Sequence, residues 1–416
     1  MNKKDLFIKS AGILGEQIVK EACWYNEQCN WLGSDTLYSN IHKINEIHFK
    51  AALGPDVYSG TSGISLFLAY LYKYNKDETL YLTSEGSIRH ALSHINLVNS
   101  KNIFGFYTGI IGIAYVANKI GNIFDNNYFK QEALSLMNYL GKKIENKHLM
   151  DFMNGNAGAI VAILDIYNTT NEKNLLNLAI KLGDELILRS ITRQEDPSWD
   201  STSNDIKNTS INITGFSHGP AGIAYSLLKL YSVTNNEKYK KMAELAFKYE
   251  NKWYNDKEKN WAALETDEKK NKKNEKIKYG KAWCHGAPGI GLSRLYAYTL
   301  LRKEEYLSDL KAALQNTVGF ITNNYLKDYD FSQCHGLAGV CELLLFAGLK
   351  LNNNNLITLA EEIGLFGIQE YQINTNAWPL GIKLGQTPSL MIGKAGIGLF
   401  YLRLADPHGV QSVLVL

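Results

Sequence analysis

Two short runs, fifty residues apart, carry the residue types that bind soft metals: Trp283-Cys284-His285-Gly286 and Gln333-Cys334-His335-Gly336. Two thiolates and an imidazole make a zinc set. With only three protein ligands a fourth position stays open to water or substrate, as in catalytic rather than structural zinc sites. The reading takes Cys284, Cys334 and His335 as ligands of one Zn2+; His285 is the rival ligand, because it holds the same place in its own run. A third run, Gly215-Phe-Ser-His218-Gly219, keeps the histidine without the cysteine. An imidazole near neutrality suits proton transfer, so His218 is the candidate acid/base. Asp151, four residues before Gly155, reads either as a helix N-cap or as the partner of His218. Asp56, four before Gly60, reads as a cap or a structural bond. Cys23, Cys29 and Cys341 read as small buried hydrophobes.

All these runs belong to one repeat. A Gly-x-x-Gly unit followed by an apolar stretch occurs seven times, at Gly60/Gly63, Gly109/Gly112, Gly155/Gly158, Gly219/Gly222, Gly286/Gly289, Gly336/Gly339 and Gly393/Gly396. Fourteen of the 34 glycines are used this way, which chance does not explain. The residue before each first glycine is Ser59, Thr108, Asn154, His218, His285, His335 or Ile392, so three of the nine histidines fall in seven positions.

The segments after the glycines, such as Ile64–Tyr72 and Ile223–Tyr231, are apolar nearly all round, which predicts helices buried on every side. Between them lie one-sided segments: Leu175, Leu178, Leu182 and Leu186 fall at helical spacing with Lys181, Asp184 and Glu185 elsewhere. Similar stretches lie near 10–30, 83–97, 128–145, 237–251, 304–323 and 355–371. No convincing period-two strand pattern is seen. The expectation is an all-α, double-layered α/α toroid of seven inner and seven outer helices, with an open solenoid as the competing shape. Each glycine pair would start an inner helix and let neighbouring backbones approach closely. A ring brings equivalent positions to one end of its axis, so the cysteines and histidines would converge there, where helix N-termini favour thiolate.

Composition limits the rest. The chain has 416 residues with a net charge of +3, which argues against a dedicated nucleic-acid binder. No apolar run is long enough for a membrane span, and no signal peptide is visible. Five cysteines, an odd number, argue against a disulfide framework and for a reducing, cytoplasmic setting. Residues 1–416 are read as a single domain, with 1–55 an outer helix and lead-in. The Lys-rich segment 254–281 reads as a solvated loop, with a substrate-holding flap as the alternative.

The seven repeats, the two Cys-His-Gly runs, His218 and Asp151 together resemble the lanthionine synthetase C-like cyclases over essentially the whole chain. The opening Trp31-Leu-Gly and Gly54-Pro-Asp-Val-Tyr-Ser-Gly60, and the ending Pro388-Ser-Leu-Met-Ile-Gly-Lys-Ala-Gly, are similar to the cyclase part of the bifunctional class II synthetases. The resemblance implies a zinc-centred toroid that acts on a dehydrated precursor peptide, supplied by a separate or fused dehydratase. It implies addition of a peptide Cys thiol to dehydroalanine or dehydrobutyrine, giving a lanthionine or methyllanthionine ring in lanthipeptide (lantibiotic) biosynthesis. Cys284, Cys334 and His335 match the zinc ligands, and His218 and Asp151 the acid/base pair. Stand-alone class I cyclases carry an arginine where Gly280 stands here; the adjacent Lys281 is not its geometric equivalent. Two other readings fit a zinc toroid: a non-catalytic peptide- or thiol-binding scaffold with His285 as fourth ligand, and a zinc-dependent prenyltransferase-like enzyme. No clustered Arg/Lys/Tyr set for a diphosphate supports the latter.

Overall fold

The computed structural model describes residues 2–38, 46–143, 148–193, 196–199, 213–264 and 277–416. Among them are fourteen α-helices: α1 (Lys3–Lys20), α2 (Thr61–Asn75), α3 (Glu78–Ser93), α4 (Ile110–Ile123), α5 (Asn127–Gly141), α6 (Asn156–Thr170), α7 (Lys173–Leu188), α8 (Pro220–Thr234), α9 (Glu237–Asn251), α10 (Ala287–Leu301), α11 (Glu304–Asn323), α12 (Leu337–Leu351), α13 (Asn354–Ile368) and α14 (Lys394–Ala405). From α2 onward the even-numbered helices are inner and the odd-numbered ones outer. Each inner helix packs on the next, from α2 round to α14, and α14 packs on α2. The ring is therefore closed, and the solenoid alternative is excluded. Each inner helix pairs with the outer helix that follows it; α14 pairs with α1, so the two ends of the chain complete the seventh hairpin.

Burial follows the sequence pattern. Residues Thr61–Leu71 of α2 are all buried, whereas α7 buries only Leu175, Leu178, Ala179, Leu182, Gly183 and Leu186. The two helix sets also start differently. The outer helices α3, α5, α9 and α13 have side-chain N-caps, Asp77, Asn126, Asn236 and Asn353. The seven inner helices all begin at the first glycine of a pair, with no side-chain cap. Their free N–H groups are instead met by carbonyls of the preceding loop, as in Thr61 N–H to Gly54 O (2.9 Å) and Leu337 N–H to Asp330 O (2.8 Å).

Four expectations need correction. Short strands are present, in the longer connections from an outer helix to the next inner one: β1 (Cys23–Tyr25) with β2 (Gln28–Asn30), β3 (Leu32–Tyr38) with β4 (Glu46–Ala52), β5 (Ile191–Arg193) with β6 (Asp196–Ser198), and the three-stranded β7 (Tyr254–Asn255), β8 (Asn260–Ala263), β9 (Lys278–Tyr279). Most are two to four residues long, too short for alternation to register. The stretch 10–30 is not one helix: α1 stops at Lys20 and the β1–β2 hairpin follows. The 254–281 segment is likewise not loop throughout, since β7, β8 and β9 lie within it; the flap reading falls on 265–276, outside the described residues. Cys29 and Cys341 are buried as expected, but Cys23 is exposed.

The end of the ring where the inner helices finish is filled by the tail. Val410, Val413, Leu414, Val415 and Leu416 are buried. The Tyr107 hydroxyl donates to the Val413 carbonyl (2.7 Å), and Tyr225 and Lys229 donate to the Leu416 carbonyl (3.0 and 2.5 Å). Arg403 binds Glu342 through two hydrogen bonds (2.9 and 3.0 Å) and the Pro407 and Val410 carbonyls (2.6 Å each), all out of solvent or nearly so. No described helix is long and apolar enough to cross a membrane.

Candidate active site

At the opposite end, where the inner helices begin, the seven repeats are tied by their backbones. The N–H of each residue two places before a first glycine reaches the carbonyl of its counterpart in the next repeat. Tyr58 binds Tyr107 (2.9 Å), Tyr107 binds Met153 (3.2 Å), Met153 binds Ser217 (3.0 Å) and Ser217 binds Cys284 (3.2 Å). Cys284 then binds Cys334 (3.3 Å), Cys334 binds Met391 (3.0 Å), and Met391 returns to Tyr58 (2.9 Å). The result is a closed belt around the axis. Beneath it lie buried side chains of the preceding positions, including Phe152, Phe216 and Trp283, with ring centroids 4.7 and 5.6 Å apart in sequence order. The residues just before the glycines form the rim, so His218, His285 and His335 occupy three consecutive rim positions. The second glycine of each pair seats the loop on the first helical turn. A Cβ on Gly289 would lie 1.9 Å from the Trp283 carbonyl, and one on Gly339 2.0 Å from that of Gln333. The close approach is thus mainly to the chain's own loop, and only secondarily to the neighbouring repeat.

The belt makes Cys284 and Cys334 neighbours. Their thiols lie close enough to shift each other's proton affinity, and His335 is close enough to act on Cys334. The contact from Cys334 pulls the Cys284 thiol below its ordinary value against the effect of burial, with the His285 backbone N–H helping. Cys334 is pushed well up by its bond to Cys284 and by burial. Two adjacent buried thiolates repel, so the pair resists losing its second proton. The Cys334 contact raises His335 to about 8, with burial opposing. Among the described residues no three His, Cys, Asp or Glu side chains stand in ready-made metal-ligand geometry. The donor chemistry nevertheless fits a divalent cation: two sulfurs in contact ionise together only when a positive charge sits between them. At the start of α12 the Leu337 and Gly339 N–H groups are taken by the Asp330 and Ser332 carbonyls, whereas at the start of α10 the His285 N–H favours the Cys284 thiolate.

Asp151 and His218 meet across adjacent repeats. Oδ2 of Asp151 lies 2.7 Å from Nδ1 of His218, and Oδ1 accepts from the Asn154 N–H (2.6 Å). Asp151 is thus the partner of His218 and closes a local turn; it is not a helix N-cap, since α6 starts at Gly155 with no side-chain cap. Asp151 is 1% exposed and His218 29%, so the carboxylate is sealed beneath an imidazole that reaches the mouth. Burial pulls the His218 pKa down, but the Asp151 bond and charge outweigh it and the net shift is upward. Asp56 accepts from the Ser59 N–H (2.8 Å), a structural bond.

His285 lies beside His218, ring centroids 5.9 Å apart, with Nδ1 3.3 Å from the Thr214 carbonyl. Gly280 has a structural reason to lack a side chain: a Cβ there would lie 2.2 Å from the His285 carbonyl. Gly286, at φ +108°, backs onto the Gly280 carbonyl in turn. Lys281 lies over the Phe320 ring at 5.2 Å, facing away from any arginine-like role at the sulfurs. A groove of about 470 Å³ opens between the β3–β4 hairpin and residues 381–392, with Tyr58 and Gly381 in its wall. Tyr58, Asp330 and Gly381 were not singled out from sequence. Tyr58 had a signal, being the first-repeat counterpart of the two cysteines. Asp330, 3.9 Å from His335, and Gly381 had none.

The profile of the lanthionine synthetase C-like protein family matches residues 51–415. The chain belongs to this family. It is 26% identical over 390 residues to the lacticin 481/lactococcin biosynthesis protein LcnDR2 of Lactococcus lactis subsp. lactis, covering 89% of this chain but only 37% of that protein. It is 26% identical over 348 residues to the nisin biosynthesis protein NisC of the same organism, covering 76% and 78% of the two chains. Nisin cyclase superposes with a TM-score of 0.65 at 22% identity, over 84% of this chain and 88% of that one, which establishes the toroid. An α-1,6-mannanase from Salegentibacter sp. HEL1_6 reaches a TM-score of 0.50 at 11% identity, so the ring alone carries no chemistry.

Proposed function

We propose that this lanthionine synthetase C-like chain is a zinc-dependent peptide cyclase. It adds cysteine thiols of a dehydrated precursor peptide to dehydroalanine or dehydrobutyrine, forming lanthionine and methyllanthionine thioethers. The supporting observation is that the belt sets Cys284 beside Cys334 (N–H to carbonyl, 3.3 Å), with His335 next in the chain, at the same end of the ring as the His218–Asp151 pair (2.7 Å). Cys284, Cys334 and His335 would hold the ion. Bound there, zinc would lower the pKa of an incoming thiol, ordinarily about 8.5, so that it attacks as a sulfide.

The protein's own groups do the rest. Asp151 fixes His218 with Nδ1 as the bonded nitrogen, leaving Nε2 to exchange protons. His218 takes the thiol proton and returns one to the α carbon of the enolate left when sulfur bonds to the β carbon, so the addition is balanced without an external acid. The groove beside Tyr58 gives the peptide flanking the reacting cysteine a place to lie. Its wall of small residues, Gly33, Ala51, Ala52 and Gly381, admits a peptide backbone. Dehydration must come from a separate or fused dehydratase. All five cysteines are free, which suits a reducing, cytoplasmic setting.

The test is incubation of the zinc-loaded protein with a dehydrated precursor peptide. Cyclisation leaves mass unchanged, so the readout is loss of thiols that react with an alkylating agent. Thiol loss that needs both metal and protein is expected. Unchanged thiols with one zinc bound per chain would favour a non-catalytic scaffold.

A further inference from the structure

The rim continues on the far side of His218 from the cysteines. Running back along the chain, the positions just before the glycines are Asn154 in the third repeat and Thr108 in the second. Hydrogen bonds join both to the acid/base pair. The Thr108 hydroxyl donates to Oδ1 of Asn154 (2.7 Å), the Asn154 backbone N–H donates to Oδ1 of Asp151 (2.6 Å), and Oδ2 of Asp151 holds Nδ1 of His218 (2.7 Å). Asn154 and His218 thus hang from the two oxygens of one sealed carboxylate, and both are partly exposed at the mouth. With Oδ1 taken by Thr108, the Asn154 amide turns its Nδ2 donors away from that hydroxyl, and among the described residues they meet no acceptor. A fixed amide with free donors, one rim position from a proton-transfer group, suits an oxygen on which negative charge gathers.

We propose that the Asn154 side-chain amide is the oxyanion donor of the addition reaction, with Thr108 as the positioning residue that orients it; the inference rests on the cyclase reading and deepens it. When the cysteine sulfur bonds to the β carbon, the alkene electron pair moves onto the carbonyl of the same dehydrated residue, whose oxygen becomes the enolate oxygen. Asn154 donates Nδ2–H to that oxygen. His218, having taken the thiol proton, delivers a proton to the α carbon, the carbonyl re-forms, and no atom is gained or lost. Carbonyl oxygen and α carbon must then face two neighbouring donors at once, and Asn154 and His218, anchored on one carboxylate, are neighbours of that kind. The charge on the oxygen is absent from the bound peptide before attack, so the bond strengthens as the reaction proceeds and acts on kcat rather than KM. Without the Thr108 bond the amide is free to turn, and its Oδ1 would then meet the growing charge with an acceptor.

The test compares two reactions of the same peptide thiol. Addition to the alkene passes through an enolate; alkylation by iodoacetamide, on a precursor peptide with alanine in place of each dehydrated residue, forms its S–C bond with loss of iodide and makes none. In Asn154→Ala, kcat for thioether formation is expected to fall ~10²-fold to 10³-fold, the range for loss of one oxyanion donor, with KM nearly unchanged. Alkylation of the protein-bound thiol should keep its wild-type rate. Thr108→Val, which removes only the orienting bond, should show a smaller loss of the same kind. The pH profile should keep its position in both variants, because Asp151 and His218 are untouched. A wild-type protein that forms no thioether would defeat the cyclase reading itself. With an active wild type, an Asn154→Ala variant that slows both reactions alike, slows neither, or shifts the pH profile overturns the oxyanion role of Asn154 alone.

Discussion

The two ends of the ring are built from the same seven helices and have opposite characters. At the end where the inner helices start, the belt displays sulfur, imidazole and one sealed carboxylate, Asp151. At the other end the same helices finish, and the cations that gather there are already paired: Lys119 with Asp165 (2.7 Å), Lys229 with the tail carbonyl and Arg403 with Glu342. Helix polarity accounts for part of this, since N-termini favour negative groups and C-termini favour positive ones. The rest is access. The far end is stoppered by buried tail residues, so its charges are spent on holding structure, and Lys229 is pushed down to about 8 by burial. The near end leaves His218 and His335 part-exposed. Position along one helix therefore separates holding from reacting.

That contrast can be broken at either end. The largest effect is expected for Cys284→Ala, which should lose zinc and ring formation, by more than ~100-fold, while circular dichroism stays native. A fully active variant would end the assignment. His218→Ala should keep one zinc per chain yet slow cyclisation ~10²-fold to 10⁴-fold, the usual share of general acid–base catalysis; loss of the metal would put this histidine in the wrong role. Arg403→Ala acts on the other end. It strands the Glu342 carboxylate and frees the tail carbonyls, so urea denaturation should show a loss of about 3–5 kcal/mol. The folded fraction should still bind zinc. Failure to bind it would mean that the two ends are not separable.

The finest distinction is Asp151→Asn. Asp151 raises the His218 pKa against burial, so the imidazole is held protonated to higher pH than a free one. The pairing stabilises the fold below the ordinary histidine value and fades as pH rises through the raised one. In the Asn variant the NMR titration of His218 should move to lower pH, and the acidic limb of kcat/KM, set by the base that takes the thiol proton, should move with it. An unmoved titration would show that the carboxylate does not set the proton's affinity.

Much of the near end was legible in the sequence because chemistry and repeat coincide there. The position before each glycine is a rim position, so His218, His285 and His335 could be aligned without coordinates. The inner helices were legible from their all-round apolarity, and the outer ones from segments such as Leu175–Leu186. What escaped has a physical reason in each case. Apart from β3 and β4, at seven residues each, the strands are too short to show alternation against a helical background. The belt is made of backbone bonds, which leave no trace in residue types beyond the glycines that permit them. Gly381 reaches His335 from 46 residues further along, outside the repeat register.

Closure has a consequence for assembly. The link from Cys334 runs to Met391, and Met391 closes on Tyr58. A nascent chain that has left the ribosome as far as residue 340 already owns every proposed ligand, yet lacks the keystone that fixes them. Rigid capture of the ion must wait for the seventh arc, so a half-made polypeptide is spared a premature and badly shaped grip on metal.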